Sequence, residues 1–117
     1  MDETRFQEAI RKMTMDEKLQ LIKNCSVFDW KKLSILANDS NKFVRMYVAK
    51  ARYTSCIDVE KLAEDADDDV RLAAIESRKL MEKTLRRLRY DSCWFVAEKA
   101  RQILKEIEEY DKRICEI

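Results

Sequence analysis

The sequence has no glycine, no proline and no histidine in 117 residues. Average usage would supply about eight glycines and about six prolines. Their joint absence removes the commonest turn formers and argues against tight β-hairpins and a Gly-rich phosphate loop. Helices joined by short polar connections remain. Without histidine no Ser-His or Cys-His couple can form, and no zinc knuckle can be completed. The four cysteines, Cys25, Cys56, Cys93 and Cys115, stand too far apart for a paired-thiolate motif.

Long apolar runs are missing too. None approaches the roughly 18 residues of a membrane helix, and the start of the chain carries Asp2 and Glu3 before Arg5 rather than an apolar leader segment. A cytoplasmic protein with reduced thiols is therefore expected, with no membrane partner. An excess of one charge is absent as well. Charged residues make up 40% of the chain, 24 basic against 23 acidic, so no global field points at nucleic acid or a membrane.

What the chain does have is a repeat. Asn-Asp-Ser-Asn-Lys-Phe-Val-Arg at 38–45 returns as Glu-Asp-Ala-Asp-Asp-Asp-Val-Arg at 64–71 and, altered, as Tyr-Asp-Ser-Cys-Trp-Phe-Val-Ala at 90–97. Asp39, Asp65 and Asp91 recur with a period of 26, each shortly before a valine: Val44, Val70 and Val96. A period of that length marks a stacked repeat architecture, and a chain of 117 residues suits one domain with one continuous core. The columns Leu33/Val59/Leu85, Leu36/Leu62/Leu88 and Val44/Val70/Val96 are apolar in all three copies. The expected repeats are 30–55, 56–81 and 82–104, each a short helix, a polar turn and a second helix. Val48, Ala74 and Ala100 form a column that shrinks to alanine and lets second helices approach closely.

Segment 1–29 does not fit this register, because a shift by one period places Lys18 where the core valine belongs. Phe6, Ala9, Ile10 and Met13 follow helical spacing, and Thr14 with Glu17 has the spacing of a capping box. The segment is expected to be an N-terminal cap. At the other end Ile107, Tyr110 and Ile114 continue the stripe of Val96, Ala100 and Ile103, which predicts a long closing helix with 105–117 as its extension.

Each turn carries an aspartate, which suits the backbone N–H groups at the start of the following helix. Arg45 and Arg71 lie further on, inside that helix, and are placed to reach the aspartate of a neighbouring repeat. Asp39, Arg45, Asp65, Arg71 and Asp91 are expected to form a structural ladder, and the third copy has Ala97 where the arginine would be.

The segments Leu33-Ser-Ile-Leu-Ala-Asn-Asp39 and Val59-Glu-Lys-Leu-Ala-Glu-Asp65, each followed by Val-Arg, resemble HEAT-like repeats. The period near 26 is closer to the leucine-rich repeat variant family, in which short helices alternate in a right-handed superhelix. The resemblance covers about residues 30–101, and the family's Asn-Pro and Thr-Pro pieces are missing. It implies an all-α fold, a right-handed α-solenoid with capping helices at both ends, and a scaffold for macromolecular contacts rather than a reaction. Nothing matches the cysteine-rich iron–sulfur segment of some members, and no cofactor is carried over.

Three further features bear on function. Asp65, Asp67, Asp69 and Glu76 fall at positions 1, 3, 5 and 12 of a calcium loop, but the sixth position is Val70 rather than the required glycine, so no metal is expected. Arg78, Lys79, Lys83, Arg86, Arg87 and Arg89 form a basic cluster whose only acidic interruption is Glu82. It can track a phosphate backbone or pair with the acidic repeat beside it, since 56–81 holds eight acids against four bases. Phe43, Trp94 and Phe95 sit at the repeat turns, where exposed aromatics can anchor a partner. The reading is a non-enzymatic scaffold binding a protein or peptide on the surface of its second helices. A nucleic-acid-binding module using the basic cluster at 78–89 is the alternative.

Overall fold

The computed structural model describes residues 3–116; Met1, Asp2 and Ile117, at the outer bounds of the two expected terminal segments, lie outside the described residues. Every regular element among the described residues is helical: α1 (Glu3–Arg11), α2 (Met15–Lys23), a 3-10 turn (Val27–Asp29), α3 (Trp30–Leu36), α4 (Lys42–Lys50), α5 (Cys56–Leu62), α6 (Asp68–Glu76), α7 (Glu82–Leu88) and α8 (Trp94–Cys115). The fold is all-α.

The helices start at Glu3, Met15, Trp30, Lys42, Cys56, Asp68, Glu82 and Trp94, so the offset from first to second helix is the same in every pair. From α3 onward the pairs keep the period of the sequence repeat. The first pair is set back from the second by one residue more than that period. Within the segment expected to be an N-terminal cap, 3–23 is a helix pair with the same internal spacing, out of register by that one residue. The extra residue lies in the connection 24–29, one longer than 51–55 and 77–81. That single insertion hides the pair from a comparison at the repeat's period.

The three apolar columns are the core. All nine of their residues are buried, with Leu33, Leu36, Val44, Val59, Val70 and Val96 fully so. Second helices pack in chain order, α2 on α4, α4 on α6 and α6 on α8. Ala74 and Ala100 carry no side chain beyond Cβ and are fully buried, which permits the close approach. In α6, flanked on both sides, Val70, Ala73, Ala74 and Ile75 are all buried. Phe6 and Ile10 bring α1 into the same core.

Helix starts are capped with what the composition allows. Thr14 and Glu17 form the reciprocal capping box of α2. Asn41 and Asp67 side chains accept from the backbone of Phe43 and Asp69. Met81, at the start of α7, has no capping side chain. Glu60 of the preceding pair substitutes, accepting from Met81 N and from the Thr84 hydroxyl. With no glycine available, the one positive φ among the described residues falls on Arg78, at 60°, just beyond α6.

The outer face of the last pair is polar where interior pairs are apolar. Ala37 and Ala63 are buried and Ala49 and Ile75 fully so, but their columns end in Arg89 and an exposed Arg101. Arg101 Nη2 donates to the Arg89 carbonyl at 3.1 Å. Arg89 and Arg101 thus keep the outer side of the last helix pair from presenting an apolar surface. The molecule measures 52 × 33 × 20 Å.

Candidate functional site

The arginines tie neighbouring pairs together. Arg45 Nε and Nη2 donate to the two carboxylate oxygens of Asp65 at 2.8 and 3.2 Å. Its Nη1 donates to the carbonyls of Asp39 and Ser40 in its own turn. Arg71 repeats the pattern one pair on, with Asp91 at 2.9 and 3.0 Å and the carbonyls of Asp65 and Ala66. Each planar guanidinium thus braces one turn and grips the next, a fork geometry that lysine lacks.

The aspartates do not cap the helices directly. Asp39, Asp65 and Asp91 accept from the backbone N–H two residues later, on Asn41, Asp67 and Cys93. These are the residues preceding the helices, so the aspartates shape the turns, and Asn41 and Asp67 then do the capping. Cys93 makes no side-chain cap. Burial pushes the Asp91 carboxyl up, but the Arg71 guanidinium and the Cys93 N–H outweigh it and hold the group below its ordinary value. The same Asp91 bond raises Arg71 above its ordinary value.

The sequence pattern does not signal a third rung, yet the structure has one. Lys18 Nζ lies 2.7 Å from Asp39. Lys18 occupies the arginine column of Arg45 and Arg71 once the inserted residue is counted. The ladder is Lys18–Asp39, Arg45–Asp65 and Arg71–Asp91, ending at a buried Ala97.

The basic cluster does not form a free cationic face. Arg78 pairs with Glu106 and Arg87 with Glu64, each at 2.8 Å, and Arg86 with Glu82 at 2.6 Å. Lys79 turns inward: its ammonium donates to the carbonyls of Ala51, Arg52 and Thr54, each at 2.9 Å. This makes it a tie between the connections 51–55 and 77–81 rather than a partner contact, and burial pushes its pKa down. Arg89 stacks 4.8 Å over the Tyr90 ring, and its Nε is buried without a hydrogen-bond partner. Lys83 is exposed and makes no ion pair among the described residues.

The aromatics divide. Trp94 is 77% exposed and Phe43 49%, whereas Phe95 is partly buried against the core, with its ring edge-on to Trp94. Val27 and Phe28, on the 3-10 turn of the longer connection, also project outward, and nothing in the repeat pattern signals them.

Asp67, Asp68 and Asp69 bring three carboxylates within 4.8 Å of one another. The set does not fit a calcium loop. Asp67 is used in capping α6, Val70 is fully buried in the core, and Lys42 Nζ supplies the counter-charge at 2.9 Å from Asp69 and 3.7 Å from Asp67. The Asp69 bond raises Lys42 above its ordinary pKa.

No protein-family model, no curated protein and no solved structure matches this chain.

Proposed function

We propose that this chain is a right-handed α-solenoid of short HEAT-like repeats, acting as a non-enzymatic cytoplasmic scaffold that binds a protein or peptide along its second helices. One observation carries the reading. The second helices turn large apolar side chains outward, Phe43 and Tyr47 on α4 and Trp94 on α8, beside the half-buried Met46, Leu72 and Phe95. Aromatic and Met side chains of this kind are enriched at interface centres. Ala73 sits between Tyr47 and Lys99 in its column and is fully buried, so the middle of the face is low. The rungs beneath hold the helices in fixed relation, which lowers the ordering cost of binding. Four unpaired cysteines support a reducing compartment.

The nucleic-acid reading has less support, because Arg78, Arg86 and Arg87 are engaged by carboxylates and Lys79 by carbonyls. The test is capture from a native lysate at two salt concentrations, with Phe43→Ala/Trp94→Ala and Arg86→Glu/Arg87→Glu/Arg89→Glu variants. The scaffold reading expects a protein lost with the aromatic variant and kept with the charge variant. Recovery of nucleic acid that falls away with salt and with the charge variant overturns it.

A further inference from the structure

The near-balance of charge over the whole chain hides a local imbalance. Segments 23–32 and 50–57, which carry the first two connections between pairs, hold Lys23, Lys31, Lys32, Lys50 and Arg52 against a single acid, Asp29. Asp29 is already engaged by Lys32 at 3.3 Å and by Ser26. Between these connections lies a cavity of about 430 Å³, within the roughly 300–1,000 Å³ of ligand clefts. Ile22, Cys25, Leu33 and Ala51 line it with apolar atoms, and burial raises the Cys25 thiol so that it stays neutral. Lys23, Lys50 and Arg52 stand around it with Tyr47 and Tyr53, and no carboxylate lines it.

Two features of the fold keep this space open. The inserted residue lengthens the connection 24–29. One pair further on, the Tyr53 column holds Lys79, whose ammonium plugs the carbonyls of Ala51, Arg52 and Thr54. Tyr53 sends no such plug back. It stays partly exposed with the Arg52 guanidinium 5.4 Å from its ring centre. Lys23 and Arg52 make no ion pair among the described residues, and Lys50 reaches Glu76 only at 3.8 Å. Two cations without an ion pair, and a third held only by the long contact to Glu76, stand around an apolar hollow and match an apolar group flanked by carboxylates.

We infer that this cavity binds an acidic peptide segment, one apolar side chain entering beside Cys25 and Ala51, above the buried Ile22 and Leu33, while flanking carboxylates meet Lys23, Lys50 and Arg52. The assignment rests on the peptide-scaffold reading and names where on the second-helix face the peptide seats and what it must carry. The apolar side chain supplies burial, and the two tyrosine hydroxyls and three cations select for carboxylate.

The experiment is chemical-shift mapping on the ¹⁵N-labelled chain with three acetylated peptides: Asp-Glu-Leu-Leu-Asp-Glu, the same peptide with serine for leucine, and Lys-Lys-Leu-Leu-Lys-Lys. The acidic leucine peptide should shift the amides of Lys23, Cys25, Tyr47, Arg52 and Tyr53 and bind at least about tenfold tighter than the other two. Lys23→Glu with Arg52→Glu changes only exposed side chains, so its thermal melt should match the parent while binding drops at least about tenfold. Equal binding of the three peptides, shifts confined to α6 and α8, or an unchanged affinity in the charge-reversed variant overturns the inference. So does octanoate binding at this site without the peptide. If these results go against the cavity while capture still depends on Phe43 and Trp94, only the cavity assignment falls; if both fail, the scaffold reading falls with it.

Discussion

Asp65 touches two neighbours, and its coupling to Arg45 should be measurable. The pair is bidentate, and the side chains are only 18% and 13% exposed. A solvent-exposed ion pair contributes about 0.2–1 kcal/mol, whereas hydrogen bonds to charged groups in less wet surroundings contribute about 1.5–3 kcal/mol. The expected coupling is therefore about 1–2 kcal/mol. Asp65→Ala also frees the Asp67 N–H and should cost about 2–3 kcal/mol in all. Arg45→Ala also abandons the carbonyls of Asp39 and Ser40 and should cost about 2–4 kcal/mol. Against a total stability of roughly 5–15 kcal/mol either change is large. Urea denaturation of both single variants and the double variant, repeated for Arg71 and Asp91, yields the coupling directly. Lys18 with Asp39 should couple more weakly, since an ammonium offers a single contact. Coupling below about 0.5 kcal/mol in both arginine cycles refutes the ladder as a stabilising device. A lysine rung stronger than the arginine rungs refutes the argument from the fork.

Other outcomes follow from the same geometry. Val70→Asp should abolish folding, because position 70 is fully buried and an unpaired carboxylate there costs several kcal/mol; a cooperative melt within a few degrees of the parent contradicts this. Lys79→Met keeps the stem but removes the ammonium from three carbonyls, of which only that of Ala51 keeps a backbone donor, the Thr54 N–H, and should cost about 2–3 kcal/mol, read by urea denaturation; a loss under about 0.5 kcal/mol shows that water replaces the ammonium. Stability should be flat from about pH 5.5 to 8, since no histidine titrates there. The folded-state pKa of Asp91 lies below its unfolded value, so its contribution is full above the usual aspartate range and is lost as pH falls through the lowered value. Asp91→Asn should flatten the acid limb of a stability–pH curve, and an unchanged limb speaks against it.

The interior pairs are legible because two signals coincide. Val44, Val70 and Val96 recur with one period, and Asp39, Asp65 and Asp91 precede them at a constant offset. The first pair is not legible. Its inserted residue puts it out of register, and even with that residue counted Glu17 stands in the valine column and Lys12 in the aspartate column, so neither signal survives, although the spacing between its two helices does. Lys79 reads as a surface cation because its acceptors are the backbone carbonyls of Ala51, Arg52 and Thr54, more than twenty residues away, which no side-chain pattern marks. Phe95 reads as equivalent to Trp94, yet one residue along a helix turns the side chain by about 100°, from solvent toward the core.

The rungs also bear on how the chain folds. Lys18–Asp39, Arg45–Asp65 and Arg71–Asp91 join residues only 21, 20 and 20 positions apart. No pairing has to wait for distant parts of the chain to meet, so loop-closure entropy is small at every step and contact order is low, the regime of folding in microseconds to milliseconds. In the proposed solenoid any two adjacent pairs should be able to nucleate, with growth proceeding either way. Opening should start at α1, whose turn has Lys12 where the others have a bridged aspartate, and amide exchange should be fastest there and in the part of α8 beyond Ile107, where the helix is exposed on all sides.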